Sequence, residues 1–544
     1  MVPNHSTTPR ALESTRQSAS VLSAALIAWV VLVIVRNAWL SDDSYISFRI
    51  VNNWVEGRGM TWNPGQRVQG FTHPAWFFIL SAAHALTHEI YYTALALSVC
   101  VAGAGLWLAA TRLAHDVWNA LAVLLALSFS RAFVDYSTSG LENTLSHLLL
   151  FSGILGLVRV ASPRALFAPW IDLSFALLVL NRVDLGLIVA PSWLWLMWRR
   201  KRAGAQPRQL LVQAVCVAAP LLVWWVFSIF YFGYALPNTA YAKLGVGVPL
   251  SERVAQGLFY VLSLVATDPA SALLLVVGLI CLSRGHEAWQ RPMLLGVVFY
   301  LAYVISIGGD FMAGRFFTAP LAIAAVGVLR MQAERSTLLA LAGVFAFAGW
   351  IAVTPPPFSA VAAEGRTSDA KLERRRYRVT DERRYYHADT GLLTADRVRS
   401  MPGGDGPVAR DAAALAHTRG NVLPKLGMRT FLAGPDAYVI DPQALVDPFL
   451  ARLSFPAKAR KPDWTAGHFK RPIPNGYAES IRAEKNLLEQ PQLAKFYDKM
   501  QLITTGPLWS RERLHAIWQL NTGQLAALSR TDGPTGDEPD AQEP

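Results

Sequence analysis

Long apolar runs, separated by short polar segments, fill the first 354 residues of the chain. A helix that crosses a bilayer needs roughly 20 residues, and most of these runs approach that length. The pattern therefore predicts a polytopic α-helical membrane protein with about eleven transmembrane helices. We place them near residues 20–40, 91–111, 117–133, 143–160, 165–180, 185–198, 209–232, 269–283, 292–307, 316–330 and 336–353.

Basic residues in the loops predict the orientation, because cytoplasmic loops carry an excess of Lys and Arg. The strongest cluster consists of Arg199, Arg200, Lys201, Arg202 and Arg208, so we expect that loop in the cytoplasm. Residues 1–19 then form a cytoplasmic N-terminus. Since the N-terminus and this loop lie on the same side, an even number of spans must separate them. The short segment 71–87 therefore cannot cross the membrane, and we expect a re-entrant or surface-lying helix there. The chain from residue 355 onward is predicted to lie outside the cytoplasm.

Between the first two predicted spans, the polar pattern changes to that of an amphipathic helix of about four turns. Asp42 and Asp43 open it, apolar residues recur at helical spacing, and Gly57 and Gly59 end it. Such a helix is expected to lie on the membrane surface. Carboxylates at a bilayer boundary are costly unless they face water, a cation or a substrate. The loop 42–74 is therefore the first candidate for a catalytic segment, although Asp is also common as a helix cap.

The C-terminal part has a different composition, with many Pro and Gly and no long apolar run. We predict a small mixed α/β extracytoplasmic domain at 355–530, with a strand at 437–441 and a helix at 483–500. Residues 531–544 have no apolar content to bury and are predicted to be disordered. The domain plan is therefore a transmembrane catalytic domain at 20–354, followed by an external domain and a tail.

Composition and charge narrow the class further. Hydrophobic residues make up 53% of the chain, charged residues 16%, and the mean hydropathy is +0.28, which excludes an ordinary soluble protein. The net charge of +12 favours contact with anionic lipid or phosphate groups. Nucleic acid is the weaker interpretation, because the basic residues are scattered around apolar spans. All three cysteines lie inside apolar runs, which argues against a disulfide framework.

Five external segments carry polar groups inside otherwise apolar sequence: 42–74, 128–143, 180–184, 231–245 and 305–317. In the predicted topology they converge on one side of the membrane. For each segment alone, a salt bridge between helices or a helix cap is an equal alternative. All five together predict a binding site for a molecule that is both polar and lipid-anchored. Beyond the Asp pair, the candidate residues are Arg49, His73, Glu142, Arg182, Asp184, Asn238, Tyr241, Lys243, Asp310 and Arg315.

The chemistry of these groups indicates glycosyl transfer from a phosphate. Carboxylates can act as a general base toward a hydroxyl group or stabilise an oxocarbenium-like transition state. Arg and Lys can bind a phosphate leaving group and stabilise the charge that develops on it. The sequence contains no P-loop and no H-E-x-x-H motif. The irregular spacing of His73, His84 and His88 does not predict a metal site, although a bridging Mg²⁺ or Mn²⁺ stays open.

The outer loop also resembles a known family. It reads WLSDDSYISFRIVNNWVEGRGMTWNPGQRVQGFTHPAW, with an Asp pair, an amphipathic helix, G-x-G and N-x-G-x-R-V in that order. This order is similar to the corresponding loop of GT-C glycosyltransferases, and within that superfamily to mycobacterial terminal arabinofuranosyltransferases. The segments TSGLEN, LPNTAYAK, GGDFMAGRF, PNGY and FYDKMQLITTGPLWS are similar to motifs of the same superfamily. The segment QGFTHPAW departs from the family pattern.

The resemblance implies an arabinofuranosyltransferase of the bacterial plasma membrane with its active site outside the cytoplasm. Asp42 and Asp43 match the catalytic-loop carboxylates, and either could be the base toward the acceptor hydroxyl. Arg182, Lys243, Arg315 and Arg49 are then the candidates for the donor phosphate. The other six residues are candidates for substrate binding. The implied donor is a polyprenyl-phosphate sugar such as decaprenyl-phosphoryl arabinofuranose, and the acceptor a polysaccharide, lipopolysaccharide or glycoprotein of the cell envelope.

Two alternatives stay open on the sequence. One is a GT-C transferase that moves a hexose or aminoarabinose to protein or lipid A. The other is a transporter or flippase for the same lipid-linked sugar. A transporter predicts broken helices and charged groups near the bilayer midplane, whereas the acidic groups of this chain cluster at one predicted boundary.

Overall fold

The computed structural model describes residues 9–244, 246–352, 357, 376–393, 411–423, 425–455 and 464–530. The first part of the predicted cytoplasmic N-terminus and the predicted tail at 531–544 lie outside these ranges. The same holds for much of the predicted junction between the two large domains.

The N-terminal part consists of helices, and most of the predicted apolar runs lie in one of them. They are α1 (Pro9–Arg36), α2 (Asp42–Val55), α3 (Pro74–Thr87), α4 (Ile90–Leu108), α5 (Val117–Phe129), α6 (Arg131–Asp135), α7 (Asn143–Arg159), α8 (Pro163–Leu166), α9 (Pro169–Asn181), α10 (Gly186–Arg202), α11 (Pro207–Tyr231), α12 (Asn238–Lys243), α13 (Leu250–Thr267), α14 (Pro269–Arg284), α15 (Gln290–Ile307), α16 (Thr318–Leu329) and α17 (Arg335–Trp350). A π-helical turn, Ala109–Leu113, extends α4.

Four helical stretches in the described ranges are long and apolar enough to cross a membrane alone: Ile90–Leu113, Arg164–Asn181, Pro207–Tyr231 and Gln290–Ile307. Several shorter apolar helices accompany them. These features are consistent with a membrane protein. The count of about eleven spans stays a prediction, and so does the re-entrant role of α3, which has 14 residues.

The pair α13 and α14 differs from the expected single span at 269–283. The two helices pass the span criteria together, but they are bent by 109° at their junction. Asp268 caps α14 by accepting a hydrogen bond from Ser271 N, and Pro269 follows it. Proline at the first helical position starts a new helix and interrupts the preceding one. The sequence analysis missed α13 because its moderate hydropathy does not form a continuous apolar run.

Close packing between the long helices depends on small residues. A Cβ atom on Gly278 of α14 would lie 2.1 Å from the carbonyl oxygen of Ala324 in α16, and one on Gly327 would lie 2.3 Å from the oxygen of Gly278. In a membrane, such small residues let two helix backbones approach each other and gain van der Waals contact. Small side chains therefore position α16, which begins directly after the Arg315 loop.

The tail is built from short elements. They are α18 (Glu382–Thr390), β1 (Arg419–Val422), α19 (Gly427–Leu432), β2 (Tyr438–Ile440), α20 (Tyr477–Ala483), α21 (Pro491–Thr505) and α22 (Arg511–Asn521). The strands pair in parallel, with Arg419 opposite Tyr438 and Val422 opposite Ile440. The predicted strand at 437–441 is found as β2. The helix expected at 483–500 begins at Pro491 instead, after a separate short helix that ends at Ala483.

The apolar core of the tail is continuous with that of the N-terminal part. One buried cluster joins Phe48 and Ile50 of α2 to Val439, Phe449 and other tail residues. The described residues of the proposed α/β domain contain only this two-stranded sheet. The tail is therefore packed onto the outer loop, and the boundary of an independent domain stays a prediction.

Helix α2 is largely buried within the protein, and its predicted place at the membrane surface stays a prediction. Nine of its 14 residues are buried, among them the polar Arg49 and Asn53. Arg49 Nε donates to Trp62 O at 2.8 Å and Nη2 to Ala437 O at 2.7 Å. The polar face therefore binds backbone carbonyls of the outer loop and the tail. Amphipathic periodicity alone cannot distinguish such a helix from one in contact with lipid head groups.

Candidate active site

The start of α2 positions the Asp pair. Ser41 caps the helix by accepting a hydrogen bond from Ser44 N, and Asp42 and Asp43 occupy the first turn. Ser41 N in turn donates to Ser139 O at 2.9 Å. Negative charge is favoured at a helix N-terminus because the unpaired N–H groups point there. Local capping therefore fixes both carboxylates at the junction of α2 with the loop before α7.

That loop approaches α2 through a glycine. Gly140 has a φ of +79°, and a Cβ atom there would lie 2.7 Å from Ser44 Cβ and 2.9 Å from the Phe48 ring. Trp76 Nε1 of α3 donates to Gly140 O at 3.0 Å. No larger residue fits both the backbone conformation and the space. This contact brings Glu142, two residues later, close to α2 and α3.

Asp42 is held by the tail. Its two carboxylate oxygens accept hydrogen bonds from Gly427 N at 3.1 Å and Met428 N at 2.8 Å, at the start of α19. Burial raises the pKa of Asp42, while these two hydrogen bonds oppose the rise. A Cβ atom at position 427 would lie 1.8 Å from Asp42 O. The Asp42 side chain therefore joins α2 to the tail, and its oxygens are already occupied.

Asp43 differs from its neighbour in its contacts. Its carboxylate makes no hydrogen bond or ion pair with another described residue, and its side chain keeps partial access to solvent. Burial raises the pKa of Asp43 to about 6, while the charges of Lys243 and Arg315 oppose the rise. A carboxylate with a pKa near the working pH is suited to general-base chemistry. Of the adjacent pair, Asp43 is the member whose carboxylate oxygens are not occupied by described residues.

Glu142 is the centre of a buried ionic cluster. Arg315 Nη2 lies 3.2 Å from its Oε1, Arg182 Nη1 lies 3.3 Å from the same oxygen, and His73 Nδ1 lies 3.2 Å from Oε2. Burial alone would raise the pKa of Glu142, but Arg315, His73 and Arg182 hold it well below its usual value. The carboxylate is therefore ionised. It binds Arg315, at the end of the loop between α15 and α16, and Arg182, at the end of α9.

Further acidic groups complete the cluster. Asp184 forms a bidentate ion pair with Arg182, and Asp310 Oδ2 lies 3.8 Å from Arg315 Nη1. Asp310 Oδ1 accepts a hydrogen bond from Phe311 N at 2.9 Å, whereas its Oδ2 has no hydrogen-bond partner among the described residues. The sequence analysis identified all of the ionisable residues of this cluster as candidates, and the tertiary structure brings them together.

Two cations of the site keep donors available for a ligand. The Arg315 Nε atom is buried and has no hydrogen-bond partner in the described part of the chain. The Lys243 ammonium forms no ion pair with a described side chain and lies against Gly467, where a Cβ atom would be 3.0 Å from Nζ. Both charges act on Asp43. Both side chains therefore keep donor groups of the kind that bind phosphate.

Three predicted site residues lie outside this cluster and serve the fold. All three side-chain nitrogens of Arg49 donate to backbone carbonyls, the third to Thr430 O. Asn238 is fully buried and donates to Ala444 O at 2.9 Å while accepting from Arg452 Nη1. The Tyr241 ring lies 4.3 Å from the Arg452 guanidinium. These contacts attach the loops of the N-terminal part to the tail.

Two residues near the site were missed by the sequence analysis. Ser47 lies one helical turn after Asp43, and its hydroxyl is 3.3 Å from His73 Nε2. The spacing of four residues after an Asp candidate was the available signal. Glu382 comes from α18, where its sequence context, LERRRYRVTDERRYYH, is typical of a solvated charged segment. Only the folded structure brings this residue to the Asp pair.

A metal site is not formed by the described side chains. In the ranges that the structure covers, no group of three or more His, Cys, Asp or Glu residues is arranged to hold a metal ion. His73 contacts Glu142 and Ser47, and His84 lies 3.2 Å from Asn52 Oδ1.

Comparison with known proteins gives two relatives. The chain is 26% identical over 414 residues to the terminal β-(1→2)-arabinofuranosyltransferase of Mycobacterium tuberculosis, covering 65% of this chain and 63% of the relative. It is 27% identical over 320 residues to the enzyme of the same name from Corynebacterium glutamicum, covering 52% and 46%. No family model and no solved structure matches. The chain thus spans about half to two thirds of the length of these relatives.

The helical fold with apolar spans is consistent with a membrane protein, and both relatives carry the name of a glycosyltransferase. Over half of its length or more, the chain is similar to these two enzymes, both named terminal β-(1→2)-arabinofuranosyltransferase. The predicted resemblance is thereby confirmed.

Proposed function

We propose that this protein transfers arabinofuranose from a polyprenyl-phosphate donor to an extracytoplasmic glycan or protein of the bacterial cell envelope. The observation that carries the proposal is the position of Asp43, a partly accessible carboxylate without a partner among the described residues, beside the cations Lys243 and Arg315. A base next to a phosphate-binding pair of cations is the arrangement that such a transfer requires. The names of the two relatives agree with the sugar.

In the proposed reaction, Asp43 takes the proton of an acceptor hydroxyl. The oxygen forms a bond to the anomeric carbon of the donor while the bond from that carbon to the phosphate oxygen breaks. The electron pair of that bond passes to the phosphate, whose growing charge is stabilised by Arg315 and Lys243. Glu142, which also pairs with Arg182, holds the Arg315 side chain in place. The products are the glycosylated acceptor and polyprenyl phosphate.

The placement of the site supports an extracytoplasmic reaction at the plasma membrane. Arg182 follows α9, Lys243 ends α12 and Arg315 lies just before α16. The basic end of α10 at Arg199–Arg202 is the opposite end of the helix that starts after Asp184. By the positive-inside rule the basic end is cytoplasmic. We therefore place the cluster and the tail on the outer side, where the lipid phosphate of the donor would lie at the membrane boundary.

The decisive experiment uses purified protein in lipid nanodiscs with synthetic polyprenyl-phosphoryl arabinofuranose and an arabinan acceptor. We expect time-dependent release of polyprenyl phosphate and growth of the acceptor by one pentose. Polyprenyl-phosphoryl hexose and polyprenyl-phosphoryl aminoarabinose, assayed in parallel, test the alternative donors. Release from one of these alone would retain the transferase but replace the sugar.

One observation favours a second function, that of a flippase for the same lipid. The break between α13 and α14 resembles the discontinuous helices of transporters. A flippase moves the donor across liposome membranes without consuming it, so it would give no polyprenyl phosphate. Translocation without release, in protein that is folded and binds the donor, would favour this alternative.

A further inference from the structure

Glu382 is a buried acid without a partner in the described part of the chain. It opens α18, its side chain is 8% exposed, and its carboxyl group makes no hydrogen bond or ion pair with another described residue. Its two neighbours are paired: Asp381 Oδ2 lies 2.6 Å from Arg131 Nη2, and Arg383 Nε lies 3.6 Å from Asp135 Oδ1. Within this charged turn, Glu382 is therefore the side chain whose hydrogen-bonding capacity is unused.

The backbone holds Glu382 beside the reaction site. Thr380 N donates to Phe311 O at 2.7 Å, and Ala313 N donates back to Thr380 O at 3.0 Å. These two bonds fix the segment before α18 to the loop that carries Asp310 and Arg315. The charges that act most strongly on Glu382 are those of Asp43, Asp42 and Asp310. The carboxyl group is thus near enough to the proposed base for the two charges to act on each other.

The surroundings favour the neutral form of this acid. An ionised carboxylate in a buried position needs a cation or several N–H donors, and Glu382 has neither among the described residues. Burial, together with the negative charges of Asp43, Asp42 and Asp310, raises the pKa of Glu382 well above its ordinary value. A protonated carboxyl group has one O–H donor and one free acceptor oxygen. This is the hydrogen-bonding capacity that matches a sugar hydroxyl.

We propose that Glu382 is a further substrate-binding residue, a neutral carboxylic acid whose O–H donates to a hydroxyl oxygen of the sugar bound beside Asp43. The same hydroxyl group can donate a hydrogen bond to Asp43 or Asp310, whose carboxylate oxygens accept it. The ligand class is a neutral polyol, since a second anion would be repelled by the surrounding carboxylates. This inference rests on the proposed function and adds a residue of the tail to the binding of its substrate.

Substitutions at position 382 separate this role from packing. Glu382→Gln keeps the size and a donor group but cannot ionise, whereas Glu382→Ala removes the donor. We expect the Gln variant to stay within about 3-fold of the wild-type kcat/KM, and the Ala variant to lose about 10-fold or more through loss of a buried hydrogen bond. Glu479→Gln, an exposed Glu on α20 that pairs with Arg482, is the matched control and should leave the rate unchanged.

The results that overturn the proposal are specific. If Glu382→Ala transfers sugar at the wild-type rate, the residue does not contact substrate. If Glu382→Gln is as impaired as Glu382→Ala while both are folded, the ionised form is needed and the neutral-donor role is wrong. Either result leaves polyprenyl phosphate release by the wild type intact, so that failure of this inference is distinct from failure of the proposed function.

A second measurement needs no activity. The pKa of Glu382 is higher in the folded protein than in the unfolded chain. The wild type therefore loses stability as the pH rises from the pKa in the unfolded chain toward the pKa in the folded protein. The melting temperature of Glu382→Gln minus that of the wild type should therefore increase between pH 5 and pH 9. A difference that does not change with pH would overturn the neutral assignment. The titratable groups that face Glu382 and must be considered in the comparison are Asp42, Asp43, Tyr136, Asp310, Asp381 and Tyr386.

Discussion

The two adjacent aspartates should respond in opposite ways to the same substitution. Asp43→Asn removes the proposed base while keeping the size of the side chain. Loss of a general base commonly lowers the rate by about 10²–10⁴-fold. Asp42→Asn instead replaces one of the two acceptor oxygens by an NH₂ donor. That donor would face the N–H donor of Gly427 or Met428, so one hydrogen bond is lost. We expect this change to lower the free energy of unfolding by about 1–3 kcal/mol and to reduce the rate much less.

The pKa of Asp43 sets the expected stability change. The shift from 3.8 to about 6 means that the folded protein binds this proton more tightly than the unfolded chain. Stability is therefore lost as the pH rises from about 4 to about 6. Two pKa units correspond to about 3 kcal/mol, an upper value because the carboxylate keeps contact with water. At pH 7 the Asp43→Asn variant should accordingly melt at the same temperature as the wild type or higher, although it is inactive.

The assay is single-turnover release of polyprenyl phosphate, combined with thermal unfolding at pH 5 and pH 7. For the wild type, kcat/KM should rise with pH through about 6 as Asp43 loses its proton. The reasoning is refuted if Asp43→Asn transfers sugar at the wild-type rate. It is also refuted if Asp42→Asn abolishes transfer without loss of stability while Asp43→Asn does not. Donor binding should survive in Asp43→Asn, and its recovery only with added Mg²⁺ or Mn²⁺ would indicate a metal site instead.

Three further predictions concern the site and its surroundings. Lys243→Ala and Arg315→Ala should each raise the donor KM and lower kcat by about 10-fold or more in steady-state assays, because the phosphate charge grows in the transition state; full activity of both would place the phosphate elsewhere. Cysteine at Gly204 should react with an impermeant maleimide only from the cytoplasm, and cysteine at Ser529 only from outside; labelling of both from one side contradicts the topology. Gly427→Ala should lower the melting temperature, since the new Cβ would overlap Asp42 O at a cost of about 1–3 kcal/mol, and an unchanged melting temperature would show that the tail is not tightly bound to α2.

Much of the helical scaffold could be predicted from the sequence, because in a membrane each apolar run must satisfy its own backbone hydrogen bonds. The run predicted at 209–232 is found as Pro207–Tyr231, and the run at 292–307 as Gln290–Ile307. The break at Asp268–Pro269 was not expected, since the apolar content of α13 is diluted by polar residues. Whether a moderately apolar helix continues straight or bends depends on the helices packed against it, and the local sequence does not show which helices these are.

The amphipathic pattern of α2 shows the same limit. The sequence correctly predicts the helix and its end near Gly57, since periodicity and glycine act locally. It does not indicate what covers the polar face. In the structure, carbonyl groups from the outer loop and the tail bind Arg49, and Ala437 is nearly 400 residues away in the chain. The polar face of this helix is therefore covered by protein.

The sequence by itself determined the apolar, helical character of the N-terminal part and the ionisable groups that gather around Glu142. Only the tertiary structure decided their roles. In the folded protein, the start of α19 binds the oxygens of Asp42, whereas Asp43 is unpaired among the described residues. Arg182 and Arg315 pair with Glu142, and Glu382 lies near the Asp pair. The physical reason is that a carboxylate's chemistry depends on the charges, donors and solvent around it, and these come from segments that are distant in the chain.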